Sequence, residues 1–198
     1  MLMNENTAQE LVLAAAMCHA AQIPSMVIAS RVIRWDARTE LNRRVKRVIE
    51  WTIPTLIVAL VGSLLLHRRA WSSPLGVGLW IVVGGEALLR VRTFFERAQS
   101  AARAFTRSRQ EIVFVLVGLG IVIAVNSREV VESGLGASVC LILALLYTSR
   151  TLIQVFAYAR HWPSKRLLAL AHWGLVLLFS LQTALYGATA AAWLGRHS

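Results

Sequence analysis

Residues 135–157 read Leu-Gly-Ala-Ser-Val-Cys-Leu-Ile-Leu-Ala-Leu-Leu-Tyr-Thr-Ser-Arg-Thr-Leu-Ile-Gln-Val-Phe-Ala, with Arg150 the one charged side chain in the run. As a helix rising 1.5 Å per residue, this stretch is long enough to cross a bilayer's hydrocarbon core of ~30 Å. In lipid such a segment has to satisfy only its own backbone polar groups, which a helix does. The reading predicts an all-α, polytopic transmembrane bundle.

Companion segments lie on both sides. Apolar runs cover 8–30, 48–66, 74–95 and 111–126 before it and 167–194 after it. The chain therefore reads as one transmembrane domain, residues 1–198, of about six spans. The run 111–126 is short, which calls for a locally thin bilayer or for neighbours that shield its ends. His19, Gln22 and Pro24 interrupt the first run. That leaves two readings open for it, a span or a helix lying at the interface.

Composition agrees. Of 198 residues, 57% are hydrophobic and 16% charged, and the mean hydropathy is +0.58; a soluble domain is about half apolar and a quarter charged. The net charge of +11 suits either nucleic acid or a membrane, and its distribution selects the membrane. Seventeen of the 21 Lys and Arg cluster in or beside three alternate connections. The first holds Arg31, Arg34, Arg38, Arg43, Arg44, Lys46 and Arg47. The second holds Arg90, Arg92, Arg97, Arg103, Arg107 and Arg109, and the third Arg150, Arg160, Lys165 and Arg166. Arg68, Arg69, Arg128 and Arg196 fall on the other side. Basic connections stay cytoplasmic, so both termini are expected outside and no nucleic acid is expected as partner. Residues Met1 to Gln9 hold no Lys or Arg, so the first segment lacks the basic start of a signal peptide and is expected to be retained.

Trp35, Trp51, Trp71, Trp162 and Trp193 fall near segment ends, where amphipathic rings anchor at headgroup level. Pro54 is expected in the first turns of its helix, and Ser72-Ser73-Pro74 reads as the turn before the third. Cys18 and Cys140 form no metal or redox spacing and read as small buried hydrophobes. A weak repeat relates Gly76, Gly78, Arg92 and Thr93 to Gly134, Gly136, Arg150 and Thr151 at a displacement of 58 residues. It suggests parallel helical hairpins.

Candidate sites are few. Glu86 sits mid-segment with Arg90 one turn on. A buried acid either marks an ion path or forms a structural pair, here Glu86–Arg90 or Glu86–Arg150. Arg43, Arg44, Lys46 and Arg47 suit anionic headgroups on the cytoplasmic side. Ser180, Ala184, Ala188 and Ala192 form a small-residue stripe, which with Gly84-Gly85 and Gly118-x-Gly120 permits close helix approach. Gln154 and Gln182 can add interhelical hydrogen bonds. His19 and His172 are the one pair available to a haem, at poorly matched depths; otherwise no cofactor is expected. No P-loop, GxSxG, HExxH or acidic metal cluster occurs in the sequence.

Two stretches carry a resemblance. Cys18-His-Ala-Ala-Gln-Ile-Pro-Ser-Met-Val-Ile-Ala-Ser-Arg-Val, continuing through Trp51, is one. Arg150-Thr-Leu-Ile-Gln-Val-Phe with Leu167-Leu-Ala-Leu-Ala-His-Trp and Leu185-Tyr-Gly-Ala is the other. Together they resemble an uncharacterised group of bacterial multi-spanning membrane proteins. The resemblance implies a bacterial inner-membrane location and no activity. Three roles are left open. The first is a non-enzymatic accessory or scaffold subunit that packs against a membrane-protein partner or its own copies. The second is a small transporter or proton conductor using Glu86 with Arg90 or Arg150. The third is a haem-binding electron carrier using His19 and His172.

Overall fold

The computed structural model describes residues 4–32, 40–97, 114–158 and 166–197. These residues are almost entirely helical. We number the helices α1 Glu5–Val32, α2 Glu40–Leu66, α3 Pro74–Arg97, α4 Phe114–Val125, α5 Ser127–Glu132, α6 Gly134–Ile153 and α7 Arg166–His197. Three of them contain stretches long and apolar enough to cross a membrane: Pro74–Val91, Gly134–Phe156 and His172–His197. Trp51–Leu66 and Phe114–Val125 are shorter apolar stretches.

The helices alternate in direction, and their contacts fix the register. Tyr147 and Gln154 on α6 meet Tyr186 and His172 on α7, so these two run antiparallel. His19 and Gln22 on α1 meet Tyr186 and Gln182, so α1 is also antiparallel to α7. The α3–α4 hairpin closes where Gly78 faces Val122, Gly118 faces Val82 and Gly85 faces the Phe114 ring. Gly120 brings α4 against α1: a Cβ there would lie 3.0 Å from the Cβ of His19. Gly118 and Gly120 thus permit close approach, whereas Gly84 faces open space.

One end of the bundle is tied by side chains capping backbone. The Glu129 carboxylate on α5 accepts from the Leu75 amide at 2.9 Å, stabilising the start of α3. Arg196 donates to the Val131 carbonyl and Trp193 to that of Glu132, satisfying the end of α5. Gln9 donates to Ser127, and His67 meets Ser138. The starts of α1, α3 and α6 and the ends of α2, α4 and α7 therefore share this end. The ends of α1, α3 and α6 and the starts of α2 and α7 lie at the opposite end.

Several boundaries differ from expectation. α2 begins at Glu40, not near Val48, because its charged first turns are good helix formers that need no hydrocarbon. Arg43, Arg44, Lys46 and Arg47 are consequently helical, and Pro54 is an interior proline that leaves the Glu50 carbonyl without its usual donor. Between α4 and α6 the chain inserts α5, and beyond α6 it widens into a π-turn, Gln154–Tyr158. Trp35 and Trp162 lie outside the described residues. Trp71 sits at a helix junction, its indole bonded to the Leu64 carbonyl and edge-on to Trp80.

α3 and α6 start alike. Ser73 and Ser133 each cap their helix by accepting from the amide of Gly76 or Gly136. These glycines are necessary, since a Cβ at either would overlap a carbonyl oxygen six residues back, of Ala70 or Val130. The matching positions are 60 apart, so Arg90 rather than Arg92 aligns with Arg150. We expect Gly76→Ala or Gly136→Ala to cost ~2 kcal/mol, as overpacking against backbone does. Gly84→Ala and Gly174→Ala, which meet nothing within 4 Å, are expected to be neutral or to stabilise by up to ~1 kcal/mol. Unfolding midpoints in detergent separate the two pairs.

Candidate functional site

Polar residues buried among apolar helices have to meet one another, and here they meet at mid-height. His19 is near the middle of α1, Tyr147 of α6 and Tyr186 of the apolar stretch of α7. The Tyr186 hydroxyl is 2.8 Å from His19 Nε2, and the Tyr147 hydroxyl is 3.1 Å from Nδ1. One turn along α1, Gln22 donates to Gln182, whose own Nε2 is buried without a partner among the described residues. All five side chains are fully buried or nearly so.

Aromatic packing holds the geometry. Tyr147 stacks on Tyr186, with ring centroids 6.2 Å apart, and on Phe179 at 6.0 Å. His19 stands edge-on to both tyrosines. Spacing explains how three helices deliver this cluster. His19 and Gln22 are three apart, Gln182 and Tyr186 four apart, so each pair shares a helix face. Cys140, Leu143 and Ala144 lie buried on the neighbouring turns of α6.

The cluster is closed. On α1, Val12, Ala15 and Ala16 are buried between Gln9 and His19, a rise of ~15 Å. On α7, Leu175 and Phe179 lie between His172 and Gln182, again ~15 Å. A hydrogen-bonded proton path needs successive partners about 3 Å apart, and the described side chains do not supply them. What the arrangement does chemically is join α1 to α6 and α7.

The residues singled out by sequence lie elsewhere, apart from His19 and Gln182. Glu86 on α3 is fully buried and accepts from Arg90 Nε at 2.6 Å, an ion pair within one helix face. Arg150 is half-buried in the last turn of α6. His172 bonds Gln154 at the start of the π-turn. His19 and His172 are not brought together: His19 bonds Tyr186, fourteen residues beyond His172 on α7, a rise of ~21 Å. One haem iron cannot take both imidazoles across that distance. Arg43, Arg44, Lys46 and Arg47 lie in the first turns of α2. Ser180, Ala184 and Ala188 are exposed on α7, but Ala192 turns half inward. Strict four-residue spacing drifts round a 3.6-residue helix, so Ala191 and Gly195 continue the exposed ridge instead.

Tyr147 and Tyr186 escaped the sequence reading because each looks like an ordinary aromatic in an apolar run. The signal was there in spacing: three apolar helices each carry polar groups three, four or seven residues apart.

No family model matches this chain, and no curated protein or solved structure is significantly similar to it.

Removing one side of a buried hydrogen bond leaves the other unsatisfied, whereas replacing both removes the penalty. Gln22→Leu alone is expected to destabilise by ~1 kcal/mol, within the range measured for interhelical bonds in membranes. The Gln22→Leu/Gln182→Leu pair is expected to recover part of that loss. Tyr186→Phe, which strips the hydroxyl from His19, has no such remedy and should cost about as much as the first single change. A denaturing-detergent titration of each variant measures all three.

Proposed function

We propose that this chain is a non-enzymatic accessory or scaffold subunit of a bacterial cytoplasmic membrane, working through helix packing against a membrane-protein partner or its own copies. In this reading the arginine-rich connections face the cytoplasm, α1 to α4, α6 and α7 form six spans, and both termini lie outside. The turns of α2 carrying Arg43, Arg44, Lys46 and Arg47 rest at anionic headgroups. The like-built starts of α3 and α6 support a repeated hairpin.

One observation carries the role: the outward ridge of α7 changes character half-way along. From Leu170 it presents Trp173, Leu177 and Leu181, all bulky and exposed; from there on it presents Ala184, Ala188, Ala191 and Gly195, with Leu194 the bulky exposed residue beside them. A ridge that meets only lipid has no need of small residues, whereas one that meets another helix gains dispersion contacts from close backbone approach. The three long apolar stretches bury only 28–33% of their residues inside the chain, so ample surface remains for a partner.

The transport reading has less support. Glu86 is already paired within α3, and the mid-height cluster has no polar route to either end through described side chains.

The test is Ala184→Leu/Ala188→Leu. Both positions are exposed, so the fold is expected to survive with an unchanged unfolding midpoint. Loss of a co-purifying partner or of the homo-oligomer in mild detergent is the expected result. Recovery of the same assembly from the variant would overturn the reading.

A further inference from the structure

Arg68 and Arg69 stand side by side in the single 3-10 turn Arg68–Ala70, at the end of the bundle where basic residues are scarce. Four arginines lie at this end. Arg128 pairs with Glu132, and Arg196 holds the Val131 carbonyl. The side chains of Arg68 and Arg69 make no ion pair or hydrogen bond among the described residues, and both are exposed. They border a cleft of about 460 Å³ between the end of α2 and the start of α6. His67 joins them on the rim, fixed by its bond to Ser138. No carboxylate lines the cleft; Glu129 and Glu132, the nearest in sequence, are committed to Leu75 and Arg128.

The rest of the lining is apolar. Leu65, Leu66, Ala70 and Leu135 form it, apart from Ser133 and Gly134 at the start of α6, and Leu66 is 78% exposed. The cleft lies where two apolar helices reach their ends, Trp51–Leu66 finishing and Gly134–Phe156 beginning. In a bilayer that is headgroup level. Cationic groups above and exposed leucines below match an amphiphile whose phosphate sits over its acyl chains. The first-turn amides of α6, at the positive end of its dipole, add to the field on the same anion.

We infer that this cleft binds a phosphate-bearing anion, supplied by the headgroup of an anionic phospholipid, through Arg68 and Arg69. The site rests on the bilayer reading and not on the accessory role, since it shares no residue with the α7 ridge. It is also distinct from the basic turns of α2, which belong to the opposite end of the bundle.

The test uses the full chain in mild detergent, incubated with phosphatidylglycerol or phosphatidylcholine, with retained lipid counted by native mass spectrometry. The wild-type chain is expected to retain phosphatidylglycerol preferentially. Arg68→Gln/Arg69→Gln should lower that retention roughly twenty-five-fold, in line with about fivefold per basic residue near a charged surface. Arg128→Gln, at the same end but already paired, should leave it unchanged. Equal loss in Arg128→Gln, or full retention in the double variant, would overturn the site. A competition arm tests the source. Phosphatidylglycerol that survives excess inorganic phosphate at constant ionic strength supports the lipid; its displacement would make the ligand a soluble phosphate and refute the headgroup. The double variant loses only exposed side chains without partners, so an unchanged unfolding midpoint is expected to accompany the loss of lipid.

Discussion

A polar group surrounded by hydrocarbon has to find its partner inside the protein, at a cost of several kcal/mol if it fails. The bonds of the His19 ring to Tyr147 and Tyr186 meet that demand and fix the position of α1. On α1, Gln9 is half-buried and His19 and Gln22 are buried, and each finds a group on another helix at matching height: Gln9 with Ser127, His19 with Tyr147 and Tyr186, Gln22 with Gln182. A slip of one turn along α7 would separate all of these at once. The polar cluster therefore specifies a register that apolar contacts alone leave degenerate, because Leu, Val and Ala offer much the same surface from one turn to the next.

The closed end of the bundle meets a second form of the same demand. Helix ends carry unsatisfied amides and carbonyls, and α5 is placed to use them. Its Glu129 caps α3, its last carbonyls receive Trp193 and Arg196 from α7, and its Ser127 receives Gln9 from α1. Six residues thus tie three longer helices together. Gly76 and Gly136 serve this end differently, by leaving room for the turn that precedes each helix.

Much of this was legible in the sequence, and what was not has physical causes. Length and hydropathy located the long helices, since a 20-residue apolar run has few other fates. Alternating basic connections anticipated the observed alternation of ends. The start of α2 was misplaced because hydropathy marks where lipid begins, whereas the helix continues through Arg43, Arg44, Lys46 and Arg47 beyond it. Pro54 was misread for the same reason. α5 is too short and too polar for a hydropathy signal. Among candidate sites, Glu86 and Arg90 were readable because a local pair needs only four-residue spacing. The His19 cluster was not, because its members come from distant parts of the chain and only the tertiary register joins them. The haem pairing failed on depth, which the poor match of the two histidines had already indicated.

The division between interior and surface bears on function. Inside, the strongest polar features are engaged with each other: Glu86 with Arg90, His19 with two tyrosines, Gln22 with Gln182, Gln154 with His172. Groups so engaged are stable because moving them exposes uncompensated polarity, which makes them poor moving parts and good fasteners. At the surface the balance is reversed. Among the described residues Arg68 and Arg69 hold charge without partners, and the small half of the α7 ridge offers backbone approach with no occupant. A protein whose interior is fastened and whose outer faces are left uncommitted is organised to bind its surroundings. On the two proposals made above, its chemistry lies at two surfaces, one suited to a neighbouring helix and one to a lipid phosphate.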